Sequence, residues 1–416
     1  MRLLCMLSCL LVLTALPFLS SCEKEPDHPK TVRIGVLFPL SGDLGEAGTN
    51  NVNAVILAVD EITALGGIQS LGGARLELVL ADTQGQSRIA DQEAERLIRN
   101  EGVSAIIEVY QSSVANTVTE VTERLGVPIL ISSGMADVVT EKGLHYTFRV
   151  MAKAEHYGRD MVEFLAGLSQ IVGHPIKRLA LLHENTAFGT SAALAQKKAL
   201  HRAGLEVVVE VSYRAAEVTD LNREVSRVLD AGPDAIFTAT YVQDSILMAR
   251  AFEKAGMDIP LVNTGSTMIS PLFIQELGPA IEKYFALTDY SKYLPAAARV
   301  NESYQKRFGL EMPGDCALAY QCVWIIKEAL EKAASTDKNA IRDALAATDM
   351  PAGEHMILAV PSLSFDQEGQ NKYSRAFVIQ VQNGEIAPVW PPEYAHGKIS
   401  WKGTCYAFDA EGKLQE

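Results

Sequence analysis

Ser112 and Ser113 stand in "EVYQSSVANTV", directly after an apolar run and at the start of a helical pattern. The free amides of a first helical turn, together with two hydroxyls, form a site suited to a carboxylate; a serine that only caps its own helix looks the same in sequence. "ISSGMADVV" repeats the arrangement, with Ser132, Ser133 and Gly134 between the next apolar run and a helix-like segment. Two such strand ends lie side by side at the carboxyl edge of a doubly wound sheet, where ligands bind. A third stretch, "LFPLSGDLGEAGTN", sets Gly42, Gly45 and Gly48 between a strand and a helix, and Asp82 ends the strand that follows. That combination raises the question of a dinucleotide, but the spacing is G-x-x-G-x-x-G rather than G-x-G-x-x-G.

Other chemistries lack their residues. The chain has no G-x-x-x-x-G-K-[ST] loop, no G-x-S-x-G elbow and no H-E-x-x-H pair, and its 8 histidines are scattered. Without C-x-x-C or a His/Cys cluster, no metal site is expected. No set of acid, base and nucleophile assembles, so the expectation is a binding protein without cofactor, not an enzyme.

The elements that must position these serines alternate along the chain. "VRIGVLF", "ARLELVLAD", "VSAIIEV" and "VPILIS" read as short strands, separated by helical patterns such as "NNVNAVILAVDEITAL". Short continuous apolar strands joined by single helices are the mark of a parallel sheet covered on both faces. After "HYTFRV" the alternation restarts, through "KRLALLHE", "LEVVVEVSY", "DAIFTAT" and "PLVNT". Two such series predict two α/β lobes, each a doubly wound parallel sheet. Beyond "KYFALTDY" helices are expected at about 296–308, 315–334 and 338–347, then a hairpin turning at Asn383-Gly384.

The chain opens "MRLLCMLSCLLVLTALPFLSSCEKE", with one basic residue ahead of an apolar stretch. Leu19-Ser20-Ser21-Cys22 has the apolar, small, small, cysteine order of a bacterial lipoprotein signal, which makes Cys22 the expected lipidation site; an ordinary secretory signal is the alternative. The net charge of −14 excludes a basic stripe for nucleic acid. Cys316 and Cys322 can pair only if Cys316 precedes the helix, because six helical residues rise about 9 Å.

In their order, "IGVLFPLSGDLGEAG", "VYQSS", "GVPILISSG", "HYTFRV", "LALLHENTAFG", "DAIFTATYVQDS" and "SFDQEGQ" resemble type I periplasmic binding proteins, in particular the leucine/isoleucine/valine-binding branch that serves ABC importers. The resemblance covers roughly residues 31–390. It implies two lobes joined by three crossovers, near Arg149-Val150, Thr288-Asp289 and Phe365-Asp366, that close on a solute. The implied division is a signal at 1–21, a lipidated tether at 22–31, one lobe of 32–149 plus 289–365 and another of 150–288 plus 366–390. Residues 391–416 form an extension without an assigned role.

By the same resemblance, a ligand carboxylate is held at Ser112, Gly134 and Ala136, with Ser113 adjacent. Phe188 and Tyr241 match aromatic contacts from the second lobe. Where amino-acid binders carry an acid for the ligand ammonium, this chain has Gly265-Ser266-Thr267. Ser266 therefore faces the ligand without a charge, and an unpaired buried ammonium costs several kcal/mol. Either another acid substitutes, with Asp289 and Glu108 as candidates, or the solute has no ammonium. The implied partners are a small-molecule solute, an ABC permease and a membrane reached through the lipid anchor only, with a monomer as the working unit. A ligand sensor for a membrane receptor is the alternative use of the same fold.

Overall fold

The computed structural model describes residues 30–408, apart from Val109, together with Leu414–Gln415. The signal and most of the tether, with Cys22, lie outside the described residues. Five parallel strands form the first sheet: β1 (Thr31–Phe38), β2 (Arg75–Asp82), β3 (Ala105–Glu108), β4 (Ile129–Ile131) and β5 (Thr147–Arg149), in the order β2-β1-β3-β4-β5. Their connecting helices are α1 (Gly45–Ala64), α2 (Ser87–Arg99) and α3 (Ser112–Leu125). Val32, Ile34, Val36 and Phe38 of β1 pack on one side of the sheet, while Leu37 packs on the other with α2 and α3. Both faces are covered, which is why these strands are apolar without alternation. The helix-like segment expected after Gly134 is only a single 3-10 turn, Asp137–Val139.

After β5 the chain enters α4 (Ala154–Val172) and a second series: β6 (Arg178–Glu184), α5 (Ala187–Arg202), β7 (Glu206–Tyr213), α6 (Asn222–Asp230), β8 (Ala235–Ala239), α7 (Val242–Lys254), β9 (Leu261–Asn263), α8 (Pro271–Leu277) and β10 (Tyr284–Thr288). It then returns through α9 (Pro295–Phe308), α10 (Gly314–Ala333) and α11 (Lys338–Ala346), with α10 packed against α1 of the first lobe. Leu318, Tyr320, Trp324 and Ile326 of α10 are all buried, so this helix is apolar nearly all round. Cys316 and Cys322 both lie within it, and their thiols are free.

A small ladder of β11 (Met350–Pro351) and β12 (Ser362–Leu363) precedes the last passage. The antiparallel pair β13 (Phe377–Gln382) and β14 (Glu385–Trp390) completes the second sheet, whose order is β14-β13-β10-β9-β8-β6-β7. Its turn places Asn383 and Gly384 at φ +52° and +80°, the left-handed region that this residue pair tolerates. The described residues of the extension pack against this lobe: β15 (Ile399–Trp401), β16 (Thr404–Phe408) and β17 (Leu414–Gln415) form a separate sheet, and the Trp401 ring stacks on Phe285 at 6.4 Å.

The three passages between lobes are bonded to one another. Arg149 N donates to Gly369 O at 2.7 Å, Asn371 N to Arg149 O at 3.0 Å and Asn371 Nδ2 to Val150 O at 2.9 Å. The second passage joins them where Ala152 N donates to Asp289 Oδ1 at 3.0 Å.

Candidate binding cleft

A cleft opens between the lobes at the carboxyl ends of both sheets. Its inner chamber, about 570 Å³ including its opening, is lined from the first lobe by Tyr110, Ser112, Ser133 and Met135. The second lobe contributes Phe188, Tyr241 and the loop Thr264–Thr267, and Asp289 sits at the hinge. An outer chamber of about 970 Å³ continues from it, sharing Tyr110, Ser266, Thr267, Thr288, Gly314 and Asp315.

Among the described residues the inner chamber has no Lys, Arg or His, so an anion there meets dipoles and hydroxyls instead of a counter-charge. Ser112 opens α3; Val114 N and Ala115 N donate to the carbonyl of the preceding Gln111 at 3.1 and 2.9 Å, so the first-turn amides left for a ligand are those of Ser112 and Ser113. Its Oγ accepts from Ala136 N at 3.2 Å, and the adjoining Ser133 Oγ is buried without a partner. Facing them, the Tyr241 hydroxyl is buried without a well-formed hydrogen bond. The Tyr241 ring lies 5.2 Å from Phe188 and 6.1 Å from Tyr110, so an aromatic wall runs across the lobes. A hydroxyl network fixes the loop after β9: Asn263 Nδ2 donates to Thr267 Oγ1 at 2.9 Å, and Ser245 Oγ lies 3.2 Å from the same atom. Ser266, next to Gly265 at φ +86°, remains on the cleft wall.

Of the residues singled out in the sequence, Ser112, Phe188, Tyr241, Ser266 and Asp289 line one chamber. Ser113, Gly134 and Ala136 do not. Ser113 turns towards α2, its carbonyl accepting from Ser87 Oγ at 3.2 Å. The carbonyls of Gly134 and Ala136 point away from the cleft, to Arg149 Nη1 at 3.0 and 2.6 Å. The amide of Ala136 is the one taken by Ser112.

Neither acid considered for an ammonium stands ready for one. Both oxygens of Asp289 are engaged, by Ala152 N and by the Tyr157 hydroxyl, and burial pushes its carboxyl up to about 7 despite those bonds. Glu108 is fully buried and does not line the cleft; burial, then the nearby Asp91, raises its pKa well above the ordinary carboxylate range. Asp82 serves the opening loop, accepting from Leu40 N at 2.8 Å and Ser41 Oγ at 2.7 Å. The glycines of that loop are not all turn residues: Gly42 has φ +72°, whereas Gly48 is helical and abuts the backbone of Pro39.

Asp315 was not evident as a cleft acid. It lies half-buried at the start of α10, held by Asn51 Nδ2 at 2.7 Å. Gly314 lets the helix end approach β10, since a Cβ there would fall 2.4 Å from Thr288 Oγ1. The one local signal is Pro313-Gly314-Asp315 ahead of an apolar helix, an acid in a first turn.

Two α/β lobes with a ligand-sized cleft at their facing strand ends define a type I periplasmic binding fold, and the chain belongs to the periplasmic binding protein family, whose model matches residues 31–385. Its members bind solutes and are not enzymes. The chain is 29% identical over 380 residues to Leu/Ile/Val-binding protein homolog 7 of Brucella suis biovar 1 (strain 1330), covering 88% of this chain and 93% of that protein. Its fold is similar to the branched-chain amino acid transporter substrate binding protein LivJ of Streptococcus pneumoniae, solved with isoleucine, at TM-score 0.75 and 23% identity over 86% of this chain and 98% of that one. A solute binding protein of R. palustris solved with benzoate is similar at TM-score 0.74 and 16% identity, over 86% and 95% of the two chains. No helix among the described residues is long and apolar enough to cross a membrane.

Proposed function

We propose that this protein is a lipid-anchored extracytoplasmic receptor that captures an amino acid of the branched-chain kind, or a similar small carboxylate, and delivers it to an ABC importer. The observation that carries the carboxylate end is the buried, unpartnered Ser133 hydroxyl beside Ser112 and the α3 N-terminus. A carboxylate there gains first-turn amides and hydroxyls in a site without a competing cation. Phe188 and Tyr241 supply the apolar wall, and Ser266 the neutral loop opposite. The relatives support the transport role, and ligands of both kinds, isoleucine and benzoate, occupy similar folds. Lobe closure around the solute is the working motion: binding stabilises the closed form, which a permease recognises. Anchoring is assigned to Cys22 on its lipoprotein-like context.

Asp289 is assigned to the hinge, because its oxygens tie the passages together. Thermal-shift screening of residues 23–416 against the amino acids, their 2-oxo acids and aromatic acids tests the reading. A ligand at 100 times its Kd adds about 2.7 kcal/mol of stability, a clear rise in Tm. A rise given only by sugars or other solutes without a carboxylate would refute it.

A further inference from the structure

The outer chamber carries charges that the capture of a simple carboxylate does not use. Asp43, Glu46, Glu311 and Asp315 all line it, and Lys292 is its one basic residue among those described. Lys292 is already spent, with Nζ 2.7 Å from Glu311. The Tyr290 side chain, only 6% exposed, lines the same chamber with a hydroxyl that has no partner.

Asp315 stands where the chambers meet, and no Lys, Arg or His among the described residues lies within ion-pair distance of it. Its side chain accepts from Asn51, a neutral donor. Burial raises its pKa, as expected of a carboxylate whose charge is incompletely compensated. A cation arriving there would replace lost hydration with a charge-assisted hydrogen bond, a strong form of the interaction. The loop after β9 lies across the same boundary with Ser266 and Thr267 and brings no acid of its own.

We propose that Asp315 is the acid that sets specificity in this cleft, receiving an ammonium or other cationic group of a solute that reaches from the inner chamber to the mouth of the outer one. This rests on the carboxylate reading of the inner chamber and narrows the solute to carboxylates that also carry an amine. The counter-charge is then supplied from α10 of the first lobe, and Tyr290 adds a hydroxyl within the outer chamber.

The test is titration calorimetry on residues 23–416 with matched pairs: leucine against 4-methylpentanoate, and 5-aminopentanoate against pentanoate, with pentylamine as the amine lacking a carboxylate. The amine-bearing acid of at least one pair should bind about tenfold tighter or better than its partner, and Asp315→Asn should remove that preference. Asparagine keeps a first-turn side chain, and an unchanged melting curve without ligand confirms the fold; the wild-type preference is a second measure independent of any variant. Equal binding within both pairs would overturn the role of Asp315 and leave the carboxylate reading standing. Pentylamine bound as tightly as 5-aminopentanoate, and lost in Asp315→Asn, would support Asp315 and overturn the carboxylate reading. Silence across all five compounds would overturn both.

Discussion

The rings of Tyr110, after β3, and Tyr241, at the start of α7, lie 6.1 Å apart across the cleft, so each lobe presents an aromatic to the other in the wall of the inner chamber. Tyr241 also packs on Phe188 at 5.2 Å. Its ring and its hydroxyl therefore separate as contributions. Tyr241→Phe keeps the wall and loses one buried donor, and should weaken the ligand found by screening by about 1 kcal/mol, roughly fivefold. Tyr241→Ala loses the wall as well and should cost about 3 kcal/mol or more. Calorimetric Kd values check both; equal losses in the two variants would show that the ring does not contact the solute.

Much of this geometry was legible in the sequence, for a physical reason. Ser112, Phe188, Tyr241 and Ser266 all follow apolar strands, and a parallel sheet collects such positions at one edge. The alternation of elements and the left-handed pair Asn383-Gly384 are local signals, and the structure agrees with them. Asp315 was not legible, because its place depends on α10 packing against α1 and on a bond to Asn51, 264 residues away. It is the family resemblance that places Gly134 and Ala136 at the ligand. What turns their carbonyls from the cleft is one side chain, Arg149, and hydrogen bonding from side chain to carbonyl leaves no periodic trace. The docking of Trp401 was likewise invisible, since it arises from packing on Phe285, more than a hundred residues earlier in the chain.

Asp289 makes stability depend on pH. Burial raises its carboxyl to about 7, against 3.8 ordinarily. Between those values the folded protein holds a proton that the unfolded chain has released. The contribution is complete below pH about 4, falls by up to about 1.4 kcal/mol per pH unit as pH rises, and is gone above about 7. Asp289→Asn keeps a neutral side chain at every pH, so the difference in urea midpoint between wild type and variant should change steadily from pH 4 to 7 and level off above. Parallel curves would refute the assignment.

Arg149 is fully buried, and all its bonds run to neutral acceptors: Gly134 O, Ala136 O, Thr140 Oγ1 at 2.7 Å and Gln370 Oε1 at 2.6 Å. Burial lowers its pKa to about 10, which still leaves it charged at neutral pH. Arg149→Met strands two carbonyls and an amide oxygen in the interior and should destabilise by about 3 kcal/mol or more. Arg149→Lys cannot reproduce the planar fork and should recover only part of the loss. Urea unfolding measures both, and a loss under about 1 kcal/mol for the methionine variant would mean that water replaces the guanidinium.

The opening loop depends on Gly48 for a close approach, whatever its φ. A Cβ there would fall 1.8 Å from Pro39 O, a backbone atom that cannot swing aside. The displaced segment continues into Leu40 and Ser41, which Asp82 fastens, while Asp43, Glu46 and Ala47 beyond it line the outer chamber. Gly48→Ala should therefore cost about 1–3 kcal/mol of stability and also weaken the solute, because the loop must shift relative to α10. Gly42 has open space around its missing Cβ but stands at φ +72°, so Gly42→Ala should cost about 1 kcal/mol through backbone strain and leave affinity nearly unchanged. Parallel urea unfolding and calorimetry on the two variants separate these causes: if Gly48→Ala loses stability without affinity, the loop's place on the cleft rim is structural and the solute does not touch it.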